Sequence, residues 1–203
     1  IQEDGFYVAG AATGIEGITV DLMMAAGHNE AASNELRNGM FEKYIVLEGG
    51  KDFELVLNEA GTQTRYSAEL ADFDVTELAD NPSIVVKRGE LKIGADAPAM
   101  KVSKTGLYHI VLDLNLDGSL EDKLILIAPV EWGVRGGMNG WGFTAGTRSE
   151  FNKTTMTYTW EGQALAAYGE FKFAYGAGWK IELNALADAT DANDARYIKA
   201  NTN

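Results

Sequence analysis

From Tyr108 onward the chain alternates: Tyr108, Ile110, Leu112, Leu114 and Leu116 fall on one side, and His109, Val111, Asp113, Asn115 and Asp117 on the other. A two-residue period does not fit a helix, whose faces recur every 3.6 residues. Residues 106–117 are therefore predicted as a half-buried strand with its polar side in solvent. Asp117-Gly118-Ser119 follows as a turn signal, and Lys123–Ala128 returns as a second apolar run. Together they predict an antiparallel hairpin.

The rest of the chain repeats this grammar in shorter phrases. Phe6–Ala9, Phe41–Leu47, Phe53–Leu57, Ser83–Lys87 and Leu91–Ile93 are apolar or alternating runs separated by Gly, Asn and Asp. Short strands between turn signals predict an all-β fold of immunoglobulin-like β-sandwich type. One stretch, Thr19–Arg37, has some helical character, but Gly27 and Asn29 interrupt it. A long loop with a helical turn is expected there.

Charge and tryptophan divide the chain unevenly. Of 203 residues, 17 are basic and 30 acidic; up to Glu131 there are 10 basic and 23 acidic residues, and beyond it 7 of each. The whole net charge of −13 belongs to the first part, whereas all four Trp (Trp132, Trp141, Trp160, Trp179) lie in the second. We therefore expect two domains: residues 1–128, an acidic spacer or degenerate binding module, and residues 129–203, a Trp-rich domain. An internal repeat supports two copies of one unit. Gly5-Phe-Tyr-Val-Ala-Gly10 echoes Glu131-Trp-Gly-Val-Arg-Gly136, and Gly50-Lys-Asp-Phe-Glu-Leu55 echoes Tyr168-Gly-Glu-Phe-Lys-Phe173. The second copy has no counterpart of the 106–117 hairpin before Asn203, so it is expected to be incomplete at its C-terminus.

Several function classes are disfavoured at this stage. Surplus acid repels a phosphate backbone, whose affinity comes from Lys and Arg displacing counterions, so no nucleic-acid partner is expected. An anionic membrane surface is disfavoured for the same reason. No apolar run approaches the roughly 18 residues of a membrane span, and residues 1–5 carry neither a basic nor an apolar leader segment. With no Cys and two His, there is no thiolate nucleophile and little for zinc or a His-based triad. His28, in a Gly- and Asn-rich loop, and His109, on a strand's polar face, have no partner identifiable by spacing and are expected to be structural.

The most specific stretch is Gly136-Gly-Met-Asn-Gly-Trp-Gly-Phe143, followed by Gly169-Glu-Phe-Lys-Phe-Ala-Tyr-Gly-Ala-Gly-Trp179. Trp141 and Trp179 offer flat apolar faces, and Lys172 and Asn139 offer hydrogen-bond donors. That combination suits a sugar ring, whose axial C–H groups pack on an indole while its hydroxyls take hydrogen bonds. The same two Trp also fit the core of a sandwich. Asn139-Gly-Trp141, Glu170-Phe-Lys-Phe173 and Trp179 resemble the glycogen-binding modules of the AMP-activated kinase beta subunit and of starch-branching enzymes. With Gly39–Gly50 and the Tyr108–Asp117 strand, the Trp132–Trp179 region is similar to the SusE and SusF type surface glycan-binding lipoproteins of Bacteroidota. The resemblance implies polysaccharide binding, starch-like α-glucan favoured, through Trp141, Lys172 and Trp179. It also implies lipid anchoring on the outer membrane facing outward, and other outer-membrane glycan-uptake proteins as partners. The first part departs from the pattern, with Ala-Thr-Gly where a Trp would sit and Glu54 in the place of Lys172.

Asp113-x-Asn115-x-Asp117-Gly118 matches the opening of a calcium loop, but its twelfth position is Leu124 where such loops carry a bidentate Glu. The acids also fit the solvated face of a strand entering its turn. No other cofactor is expected. Asp188–Asp194 reads as a solvated acidic loop. A glycosidase needs only two carboxylates flanking the scissile bond, and the sequence singles out no such pair. The expected function is therefore non-catalytic glycan binding, with a structural or adhesive surface module as the alternative and a glycosidase fragment as the lesser one.

Overall fold

The computed structural model describes residues 2–29, 35–73, 86–94, 98–114, 124–130, 132–140, 151–159, 170–175, 181–182 and 199–200. Among these the fold is all-β, its helical content confined to single 3-10 turns. Ten strands form one antiparallel sheet: β1 (Gly5–Ala9), β2 (Ala25–Asn29), β3 (Glu35–Leu47), β4 (Asp52–Glu59), β5 (Thr62–Ala68), β6 (Ala71–Phe73), β7 (Val86–Ile93), β8 (Met100–Lys101), β9 (Gly106–Asp113) and β10 (Leu124–Pro129). Their order is β1-β4-β5-β7-β10-β9-β3-β2, with β6 beside β7 and β8 beside β4. The sheet curls until its ends meet. Phe6 on β1 lies with its ring 5.1 Å from that of Phe41 on β3, six places away along the sheet. One buried cluster, including Tyr7, Leu47, Phe53, Leu55, Ile110, Leu112, Ile125 and Ile127, fills the inside.

Two further ladders stand apart from this sheet, β11 (Trp132–Gly136) with β12 (Phe171–Tyr175), and β13 (Ile181–Glu182) with β14 (Lys199–Ala200).

The predicted hairpin is the β9–β10 pair, in register from Tyr108↔Pro129 to Asp113↔Leu124. Its polar side is not solvated as expected. His109 is 2% exposed and Asp113 1%, because β9 sits between β3 and β10 and its outer face is covered too. Met40, Val111, Leu126 and Ala128 are buried outside the main cluster, so the sheet has apolar packing on both sides here. Alternation correctly indicated the strand, whereas which faces are covered depended on neighbours far away in sequence.

Two further expectations change. The segment expected as a loop with a helical turn does contain a 3-10 turn, Val20–Leu22, but then runs as β2 and the start of β3. His28 therefore lies on a strand, in register with Leu36, past a bulge at Ala26/His28. Gly27 breaks a helix but serves this strand, since a Cβ there would lie 2.5 Å from Met40 Cε. The runs expected as separate strands at Ser83–Lys87 and Leu91–Ile93 belong, from Val86 on, to the single strand β7. One edge of β7 pairs with β10 at Lys87–Glu90, while its other edge pairs with β6 at Val86–Arg88 and then with β5 at Leu91–Ile93. Gly89 lies where that edge passes from β6 to β5, and a Cβ there would lie 2.7 Å from the Glu69 carbonyl oxygen.

The β4–β5 hairpin, invisible to the alternation test, is made by a two-residue turn. Ala60 (φ 49°) and Gly61 (φ 83°) are both left-handed, as a primed turn requires. The Ala60 amide donates to Asp4 Oδ1 at 2.8 Å. Left-handed backbone costs Ala about 1 kcal/mol that Asn or Gly largely avoids. Ala60→Asn is therefore expected to stabilise the protein by about 0.5–1 kcal/mol, read as a higher midpoint in urea.

Candidate functional site

β11 and β12 carry the candidate glycan residues. They pair antiparallel with Trp132↔Tyr175, Val134↔Phe173, Arg135↔Lys172 and Gly136↔Phe171 in register. A 3-10 turn, Gly137–Asn139, follows directly and ends in left-handed Gly140 (φ 62°). The Gly137 amide donates to the Glu170 carbonyl at 3.4 Å, tying the turn to the residue before β12. The backbone thus brings the Asn139 turn beside the strand that bears Lys172. Trp141 and Trp179 lie outside the described residues.

The sequence repeat is also a structural repeat. Phe6↔Leu57, Val8↔Leu55 and Ala9↔Glu54 on β1–β4 correspond one for one to Trp132↔Tyr175, Val134↔Phe173 and Arg135↔Lys172 on β11–β12. The 3-10 turn Ala11–Thr13 and left-handed Gly14 (φ 70°) match Gly137–Asn139 and Gly140. Even the close approach recurs: a Cβ on Gly10 would lie 2.7 Å from the Asp52 carbonyl oxygen, and one on Gly136 2.5 Å from that of Glu170. Matched register, turn and close contact together leave little room for coincidence.

In the first copy the surroundings of this turn are described. Gly10, Gly14, Ile15, Gln63 and Arg65 border a groove of about 490 Å³. By the register of the repeat the position of Trp141 falls on Ile15, not on the Ala12-Thr13-Gly14 expected from the sequence, which aligns with Met138-Asn139-Gly140. Glu54, in the place of Lys172, forms an ion pair with Arg65. The turn thus borders a concave surface, and in the first copy one of its charges is already engaged.

Other residues fall differently. The β12 aromatics Phe171 and Phe173 are 42% and 57% exposed, with ring centroids 5.8 Å apart and planes at 88°. Nothing in the sequence pattern marked them as surface residues, because Phe at alternate strand positions is the usual signal of a core face. Of the calcium set, Asp113 is buried at the end of β9, in register with Met40 and Leu124, so the solvated-face reading does not hold for it. Asn115 and Asp117 lie outside the described residues, as does Asp188–Asp194. Among the described residues no cluster of three metal-ligating side chains occurs.

His109, which had no partner by spacing, has two across the β3–β9 ladder. Its Nε2 lies 2.8 Å from Glu42 Oε2, and its ring stacks on Tyr44 with centroids 4.1 Å apart and planes 5° from parallel. Tyr44 is the register partner of His109 and Glu42 that of Val111, so the trio shares a face only once the pairing is known. A structural role for this buried histidine fits the geometry.

Compared with known proteins, the chain matches no family model, no curated protein and no solved structure.

Proposed function

We propose that this chain is a non-catalytic polysaccharide-binding protein, held by a lipid anchor at the outer membrane and facing outward. Its favoured ligand is a starch-like α-glucan. In this reading residues 1–128 and 129–203 are tandem immunoglobulin-like domains, and the second binds. Trp141 and Trp179 stack on pyranose rings while Lys172 and Asn139 hydrogen-bond the hydroxyls. What carries the reading is the pairing of the Gly136–Asn139 turn with the Lys172 strand, together with the groove that the same turn borders in the first copy. The chemistry agrees, since the part beyond Glu131 has balanced charge and a neutral glycan needs no strong field. Each stacked aromatic contributes about 1 kcal/mol, so a two-Trp site implies a Kd of roughly micromolar to millimolar.

Affinity electrophoresis through starch, glycogen, dextran, levan and xylan tests this. Wild type is expected to be retarded by α-glucan, and Trp179→Ala and Lys172→Ala each to lose about fivefold in affinity. Release of reducing sugar would instead favour a glycosidase. Unchanged mobility on every polysaccharide would favour the second reading, a structural or adhesive module, which has the exposed Phe171–Phe173 pair in its support.

A further inference from the structure

A second cavity, of about 450 Å³, lies between the first copy and the loop 151–159. Its volume is within the usual range of small-ligand pockets, which favour such junctions. Both walls are held in place. The loop is closed by reciprocal backbone hydrogen bonds between Asn152 and Thr157, 2.9 and 3.2 Å long, and it is moored to the sheet by Tyr158, whose hydroxyl donates to the Val130 carbonyl at 2.7 Å. On the other wall stands Tyr44, 36% exposed. One face of its ring is covered by His109, itself buried and held by Glu42, so the accessible part of Tyr44 is its other face and edges.

Around this ring the cavity carries Lys43 and Lys153 as donors, Asp21 and Glu48 as acceptors, and the Thr154 hydroxyl, which does both. Glu48 is kept ionised: a hydrogen bond and charge from Lys51, with Lys153 adding to them, hold its carboxyl below the ordinary value. A border of both signs discriminates among ligands. A phosphate or carboxylate would meet Asp21 and Glu48, and an ammonium would meet the two lysines, whereas each hydroxyl of a sugar both donates and accepts. The backed aromatic face supplies the remaining requirement, an apolar platform for the C–H face of a pyranose.

We propose that this cleft is a second saccharide-binding site, taking a short stretch of neutral glycan against Tyr44 between the first copy and the 151–159 loop. It rests on the glycan-binding reading above but uses none of the same side chains. A chain that bound at both places would be held with an avidity beyond either site alone, provided the ligand spans them.

The test is a titration of the ¹⁵N-labelled full chain, following amide shifts, with maltoheptaose, cellohexaose and xylohexaose as probes. At least one probe is expected to shift Lys43, Tyr44 and Lys153 as well as Gly136–Asn139 and Lys172. Thr154→Trp, a substitution on an exposed turn outside the sheet that fills the cleft, is expected to weaken the first set at least tenfold and leave the second unchanged. Tyr44→Ala should do the same, but it also uncovers His109, so Thr154→Trp is the deciding variant. Shifts confined to the Gly136–Lys172 set, or cleft shifts that survive Thr154→Trp, would overturn the second site and leave the first reading standing. Shifts confined to the cleft would uphold it and overturn the tryptophan site. No shift with any probe would overturn both.

Discussion

Gly10→Val is expected to lower the melting temperature by roughly 4–24 °C. The backbone at Gly10 has φ 117°, outside the range of β-branched residues, and holding such a residue there costs on the order of 1–3 kcal/mol. The side chain has nowhere to go: its Cβ would lie 2.7 Å from the Asp52 oxygen and 2.9 Å from Phe53 Cα, which are backbone atoms of the adjoining strand. Relieving the contact means opening the β1–β4 ladder beside fully buried Val8 and Leu55, a further 1–3 kcal/mol or so by analogy with overpacked cores. For a chain of about 200 residues each kcal/mol moves the midpoint roughly 2–4 °C. Gly17→Val is the control, since Gly17 is also left-handed (φ 74°) but has no atom within 4 Å of the added Cβ. It should lose only the conformational part. Equal losses at the two positions, followed by circular dichroism, would show that the close approach is not what selects glycine. Gly136→Val extends the test to the second copy, where the same contact is made with Glu170.

That pair of glycines also shows what the sequence could and could not disclose. The repeat was legible because Gly10 and Gly136 end matching strands, and matched strands proved to have matched register. The all-β class was legible from alternation and from punctuation by Gly, Asn and Asp. What lay hidden were relations between distant segments. Thr62–Ala68 has too little apolar content to announce itself as β5, yet it is ordered by the Ala60-Gly61 turn and by pairing with β4 and β7. The burial of His109 and Asp113 needed β3 and β10 on either side. The Tyr44–His109–Glu42 trio joins residues 67 apart, and no spacing rule brings them together. Of the candidate glycan site, the sequence supplied residue types and the order of strand and turn, and the backbone adds that Lys172 and the Asn139 turn are neighbours across one ladder.

Phe53→Ala and Phe171→Ala should differ sharply although the residues are equivalent in the repeat. Phe53 is 1% exposed and packs in the main cluster, so truncating it is expected to cost about 3–5 kcal/mol through lost burial and the cavity left behind. Phe171 is 42% exposed, and truncation there should cost roughly 1 kcal/mol or less, since much of its surface already meets water. The same contrast holds for Leu55, fully buried, against Phe173. Duplicated strands thus present the same face to different surroundings: in the first copy β3, β9 and β10 close over it, while in the second it remains accessible. Chemical denaturation of both variants measures the difference. A loss at Phe171 as large as that at Phe53 would mean that β12 is buried as β4 is, and the aromatic pair would then offer no surface to a partner. A small loss leaves two adjacent rings in contact with water on a strand whose other residues include Lys172, and the adhesive and glycan readings then differ by which side of β12 does the binding. Replacing Phe171 and Phe173 together with Ser should abolish an adhesive contact and leave retardation by α-glucan within about twofold of wild type.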